Sequence, residues 1–189
     1  NGYPYALEAI SKFEAEAHGL HYAPSEIILT VGATEALFAS FSTILNPGDE
    51  VIIPTPSFVC YGPLTEMSGG VPKYLELKVE NKFRLTPEEL RAAITPTTKV
   101  LVLPFPCNPT GGTMDRQDLE AIAQVLEGTD IMVLSDEIYA ELTYGQRHVS
   151  PANLTSLKDR TIVVNGFSKS HAMTGWRMGY VCGPEPVIQ

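Results

Sequence analysis

The strongest constraint in this chain is an alternation. Short strand-like segments, several of them near-continuous apolar runs such as those over 131–134 and 161–164, recur along its 189 residues, separated by stretches with helical spacing. The segments cover residues 26–31, 50–53, 71–77, 99–103, 131–134, 161–164 and 178–182. Between them, Leu37, Phe41, Ile44 and Leu45 fall on one helical face over 36–45, and Leu119, Ile122, Ala123 and Leu126 repeat at i, i+3, i+4 and i+7. A strand that is apolar throughout, rather than at every second position, needs cover on both faces. Strands joined through helices connect by right-handed crossovers and lie mainly parallel. The expectation is an α/β fold: three layers, α/β/α, around a mainly parallel seven-stranded sheet, with 1–189 as a single domain.

Local signals agree. Thr86-Pro87-Glu88-Glu89 begins a helix, with Thr86 as cap, Pro87 at the first helical position and Glu89 completing a capping box; Leu90, Ala93 and Ile94 form its buried stripe. Asp115 can cap the helix carrying Leu119. Asn46-Pro47-Gly48-Asp49 is a turn, and a helix expected over 57–67 is stopped by Gly69-Gly70. The chain opens on Asn1 with a helical pattern almost at once, and residues 185–189 read as the start of something further. It is therefore expected to be part of a longer protein.

Composition narrows the function classes. A net charge of −9 disfavours nucleic acid and anionic membranes as partners. No apolar run approaches the roughly 18 residues of a membrane span. Cys60, Cys107 and Cys182 are odd in number and far apart, which fits a reducing cytoplasm better than a disulfide framework. His18, His21, His148 and His171 lack metal-ligand spacing, so no metal is expected.

In such folds ligands bind beyond the carboxyl ends of the strands, and the unusual residues stand there. Val31-Gly32-Ala33-Thr34 ends a strand and opens a helix, whose free N–H groups suit a phosphate; it also reads as an ordinary turn with a Thr cap. Pro106-Cys107-Asn108-Pro109-Thr110-Gly111 delivers an amide into a rigid loop, or is a surface turn. Ser135-Asp136-Glu137-Ile138-Tyr139 places an acid where a cationic ligand atom would keep it ionised, or where it caps a helix. Ser168-Lys169 lies in a small-residue loop where desolvation would yield a nucleophilic amine, or is a solvated surface site. Arg177 offers a planar fork for a phosphate, or an exposed ion pair. Together they describe a phosphate cradle, an acid, hydrogen-bond donors and an amine, which is what a phosphorylated, imine-forming cofactor needs.

These segments resemble class I/II, fold-type I aminotransferases. The matches are Val31-Gly32-Ala33-Thr34-Glu35-Ala36, Asn108-Pro109-Thr110-Gly111, Ser135-Asp136-Glu137-Ile138-Tyr139, and Ser168-Lys169 followed by Ala172-Met173-Thr174-Gly175-Trp176-Arg177-Met178-Gly179, in order and spacing across the chain. The resemblance implies a pyridoxal 5'-phosphate (PLP) large domain, with an N-terminal segment and a C-terminal small domain absent. It implies transfer of an amino group between an L-amino acid and a 2-oxo acid by a cytoplasmic homodimer. Lys169 would form the imine and shuttle the proton; Asp136 would pair with the pyridine nitrogen; Asn108 and Tyr139 would bond the phenolic oxygen, Asn108 also facing the substrate carboxylate. Ala33, Thr34 and Arg177 would hold the phosphate, with Ser168 as a further hydroxyl. Phe58 would stack on the ring, although it also suits a core. Many members carry Ser three residues before the lysine, where this chain has Gly166. A PLP-dependent carbon–sulfur β-lyase shares the same lysine, acid and asparagine, and the same fold serves as an effector domain in some transcription regulators; both stay open at this point.

Overall fold

Two helix starts have a plain local cause. Thr86 Oγ1 accepts the Glu89 N–H while the Glu89 carboxylate accepts the Thr86 N–H, opening α4 (Pro87–Ala93). Asp115 and Asp118 make the same reciprocal pair at α5 (Arg116–Leu126). Each cap contributes about 1 kcal/mol. The computed structural model describes all 189 residues, Asn1–Gln189. The remaining helices are α1 (Pro4–Phe13), α2 (Ala33–Ile44), α3 (Tyr61–Met67) and the short α6 (Thr155–Lys158) and α7 (Glu185–Ile188). The strands are β1 (Ile27–Thr30), β2 (Glu50–Thr55), β3 (Val71–Glu76), β4 (Thr98–Leu103), β5 (Met132–Asp136), β6 (Thr161–Gly166) and β7 (Gly179–Cys182).

The strands form one seven-stranded sheet in the order β1-β7-β6-β5-β4-β2-β3. All neighbouring pairs are parallel except those of β7, which runs antiparallel to both β6 and β1. The mainly parallel expectation therefore holds with one strand reversed. That reversal matters for the site, because it brings the amino end of β7 to the edge where the other strands have their carboxyl ends.

Successive strand residues face opposite layers. Val51, Ile53, Val100, Val102, Leu134, Ile162 and Val164 pack with Leu37 and Phe41 of α2 and Tyr61 of α3. Ile52, Leu101, Leu103 and Val133 pack with Leu90 of α4 and Leu119, Ile122 and Leu126 of α5. Val163, Tyr180 and Cys182 meet Leu7 and Ile10 of α1 on that same side. With both faces of the central strands buried, most of their positions favour apolar residues, whereas the edge strand β3 is mostly exposed or half-buried and carries Lys73 and Glu76.

Two helix starts differ from the sequence reading. α2 begins at Ala33, three residues before its apolar stripe, because Gly32 at φ 79 turns the chain sharply and the Glu35 carboxylate folds back onto the Val31 N–H. α3 begins only at Tyr61, whose N-cap Cys60 makes no side-chain cap bond; residues 57–60 stay irregular. A further feature escapes helical periodicity. α1 runs on into a π-helical turn, Glu14–His18, ended by Gly19 at φ 68. This turn directs Glu14 into the interior, where Tyr180 Oη donates to its Oε1 at 2.5 Å. Burial pushes the Glu14 carboxyl up to about 7, against the pull of that bond.

Candidate functional site

The reversed β7 gathers the unusual residues at one edge. Ala33 and Thr34 follow β1, Phe58 follows β2, Asn108 follows β4, Asp136 and Tyr139 lie at and after the end of β5, and Ser168 and Lys169 follow β6. Arg177 immediately precedes β7 and arrives from the opposite chain direction. These nine residues all line one cavity of about 200 Å3, together with Leu37, Tyr61, Pro104, Pro106, Ile138 and Thr174. Nothing in composition or periodicity required them to converge; the strand order does it.

Asp136 forms the floor and is 5% exposed. Its Oδ2 accepts the Tyr61 hydroxyl at 2.7 Å and its Oδ1 accepts the Ile138 N–H at 3.2 Å. Burial pushes its carboxyl up, the two hydrogen bonds pull it down, and the neighbouring Glu137 pushes it up again. An acid raised in this way gains most from a cation placed in the cavity. The same burial, with Asp136 alongside, pushes the Tyr61 hydroxyl well above its ordinary range and keeps it a donor.

Lys169 is exposed at the cavity wall, its Nζ 5.9 Å from the centre of the Tyr139 ring. The burial expected for this amine is not observed, since Lys169 is exposed. The loop after β6 is ordered by its own bonds. The Met173 N–H donates to the Phe167 carbonyl at 3.2 Å, and Thr174 Oγ1 donates to the Ser168 carbonyl at 3.0 Å. Arg177 follows in the left-handed region at φ 52, with Nη1 donating to the Thr174 carbonyl at 3.1 Å. Asn108 and Thr34 are exposed on the rim. Phe58 is 36% exposed and meets the Tyr61 ring edge-on with centroids 6.1 Å apart, so it is a rim aromatic and not a core one.

Close backbone approach holds the cradle together. A Cβ on Gly32 would fall 2.5 Å from Arg177 Nη2, so only glycine lets the guanidinium lie across the turn that opens α2. A Cβ on Gly179 would fall 2.5 Å from the Gly32 carbonyl carbon. A Cβ on Gly166 would lie 2.9 Å from the Met178 carbonyl oxygen and 3.0 Å from Gly179 Cα, across the β6–β7 pair. The glycine at 166, where many members have serine, is therefore demanded by the local packing. The first N–H groups of α2 lack intrahelical partners and open beside the Arg177 fork, which gives the rim two sources of positive potential.

Tyr61 is the functional residue that the sequence reading missed. It is 2% exposed and bonds Asp136 from 75 residues away. A buried tyrosine must find a partner for its hydroxyl, but no residue near 61 in the sequence points to Asp136.

Comparison with known proteins agrees with this arrangement. The family model described as aminotransferase class I and II matches residues 1–189. An aspartate aminotransferase of Geobacillus stearothermophilus is 47% identical over 190 residues, covering 100% of this chain and 48% of that protein. A probable N-acetyl-LL-diaminopimelate aminotransferase of Bacillus subtilis (strain 168) is 46% identical, covering 100% of this chain and 47% of that protein. The crystal structure of the aspartate aminotransferase from Rhizobium meliloti superposes with a TM-score of 0.97 at 40% identity, covering 100% of this chain and 48% of that one. The chain thus spans about half the length of the curated relatives it matches. With the family model matched end to end and relatives this similar along its whole length, the chain belongs to the class I and II aminotransferases.

Proposed function

We propose that this chain is the PLP-binding part of an aminotransferase that moves an amino group between an L-amino acid and a 2-oxo acid. The observation that carries the reading is the meeting, in one cavity, of a buried carboxyl, an amine and a guanidinium beside a helix N-terminus. The aspartate aminotransferases of the family are PLP dependent. The residues present fit that group: the floor is acidic, the rim is cationic, and Gly32 leaves the space that the cradle needs. The similar proteins carry aminotransferase names, so the lyase and regulator readings gain no support.

PLP supplies an aldehyde that condenses with amines and an aromatic ring that draws off electrons. The rest falls to this chain. Asp136, ionised beside a cation, holds a proton on a ring nitrogen, and Tyr61 holds Asp136. Lys169, the only lysine lining the cavity, takes up and releases a proton at Nζ. Arg177 and the first N–H groups of α2 hold a phosphate dianion, with the Thr34 and Ser168 hydroxyls beside it. Asn108, Tyr139 and Phe58 line the same cavity; Asn108 and Tyr139 would donate hydrogen bonds to a ring oxygen, Asn108 would also meet a substrate carboxylate, and Phe58 would pack on the ring.

Exposed Val31, Phe38, Phe58, Val59 and Trp176 support a homodimer that covers apolar surface. Three free cysteines support a reducing, cytoplasmic setting. No helix is long and apolar enough to cross a membrane.

The test is covalent. PLP added to the protein, followed by borohydride and peptide mapping, is expected to leave the pyridoxyl group on Lys169, and Lys169→Ala to abolish the label. A label on another lysine, or none, would refute the assignment.

A further inference from the structure

Behind the floor, on the side of the sheet away from the cavity, lies a buried polar cluster to which the proposed function gives no role. Glu137 follows Asp136 directly and is 0% exposed. Its Oε1 accepts the Ser135 hydroxyl at 2.9 Å and the Ser150 hydroxyl at 2.5 Å. Its Oε2 stands 2.9 Å from His148 Nε2, an ion pair when the ring is protonated. The His148 side chain is 6% exposed.

The groups facing this pair are mostly acidic. Glu14 comes from the end of α1 and Glu141 from the loop after β5, while His18 packs edge-on to His148 with ring centroids 6.2 Å apart. Glu141 Oε1 lies 3.2 Å from His18 Nε2, and Arg147 adds a positive charge near His18. Burial opposes a charge on His148; Glu137 outweighs it, joined by Glu14 and Glu141, and the ring is held protonated above its ordinary range. Burial likewise opposes the charge on Glu137, and His148 with the two serines outweighs it.

Geometry shows what the pair can do. Asp136 and Tyr139 line the cavity, and Glu137 sits between them in sequence with its side chain on the opposite side. Past β5 the chain has no regular element until a 3-10 turn at Pro151–Asn153. His148 and Ser150 bring the far end of that long loop back onto Glu137. We propose that His148 is a positioning residue for the cofactor site: acting through Glu137, it holds the turn that presents Asp136 and Tyr139 to the cavity. The inference rests on the PLP reading given above.

The test compares two rings. PLP and its carbocyclic analogue, with C–H in place of the ring nitrogen, are titrated into the protein and their dissociation constants compared. The wild type is expected to prefer PLP, because only PLP has a ring nitrogen for Asp136. His148→Ala leaves Glu137 without its cation and is expected to narrow that preference about tenfold by displacing Asp136. The double variant Glu137→Gln, His148→Gln keeps two neutral partners and is expected to restore it. Ser150→Ala retains both charges, is less disruptive to folding, and is expected to narrow the preference by a smaller factor. A purely structural role would lower thermal stability and leave the ratio of the two constants unchanged, and that result overturns the inference. So does a widened preference, which would mean that the freed Glu137 charge acts by attraction instead of through position. If the wild type binds neither ring, the cofactor reading itself fails. If it binds both equally, the pairing with Asp136 fails. A ligand-free check is the titration of the His148 ring by NMR, which Glu137→Gln is expected to move downward.

Discussion

The floor and the rim of the cavity are built differently. Asp136 and Tyr61, at 5% and 2% exposure, are joined by a 2.7 Å hydrogen bond and backed by the sheet. Lys169, Arg177, Asn108 and Thr34 all lie exposed on loops or at a helix start. The floor carries the group whose protonation must be controlled, and control of a carboxyl's pKa requires burial and fixed partners. On the proposed reading the rim carries groups that would meet incoming phosphate and amine, which requires access. One cavity thus divides its chemistry by solvent exposure.

The contrast can be broken from the floor. Asp136→Asn leaves a neutral amide that cannot hold a ring nitrogen protonated, and turnover in the transaminating protein is expected to fall on the order of a hundredfold or more. Steady-state kinetics with PLP saturating checks this, and near-normal turnover would show that the floor charge is dispensable.

Next in size is an effect on stability behind the floor. Glu14, raised by burial to about 7, keeps a proton in the folded chain that the unfolded chain releases near 4.5. Its contribution is complete below the unfolded value and is lost as pH rises through about 7. Glu14→Gln stays neutral and can still accept the Tyr180 bond. It is expected to flatten the fall in stability between pH 5 and 8 by on the order of 3 kcal/mol. Urea unfolding at both pH values measures it; an unchanged slope would place the proton elsewhere.

The smallest effect sharpens the comparison most directly. Tyr61→Phe removes one of two hydrogen bonds to Asp136 and is expected to cost about 1–3 kcal/mol. With less to pull it down, the Asp136 carboxyl rises further. Because that pKa is raised on folding, Asp136 contributes stability at low pH that fades as pH rises through the folded value, and the variant moves this loss to higher pH. Phe58→Leu, three residues earlier on the rim, is expected to stay within about 0.5 kcal/mol in stability. Equal costs for the two would erase the distinction between floor and rim.

Much of the fold was legible because its signals are local. Thr86 and Asp115 cap the helices they precede, and near-continuous apolar runs form the central strands. That the nine candidate residues stand at or near strand ends was legible from local motifs, which nearby residues suffice to define; that they line one cavity was not. Tyr61 was not, since its partner lies 75 residues away, nor was the Glu14–Tyr180 bond across 166 residues. The start of α2 was displaced because periodicity registers only the apolar stripe, whereas Gly32 sets the turn.

The sequence by itself determined which residues are apolar on which period, where helices can start, and which side chains stand at strand ends, because these follow from the chemistry of neighbouring residues. Tertiary structure alone decided that β7 runs backwards, that Arg177 therefore meets the turn after β1, and that Glu137 is neutralised from behind by His148. Those outcomes depend on contacts between distant segments, and burial, which sets the protonation of Asp136 and Glu14, exists only once the layers have closed.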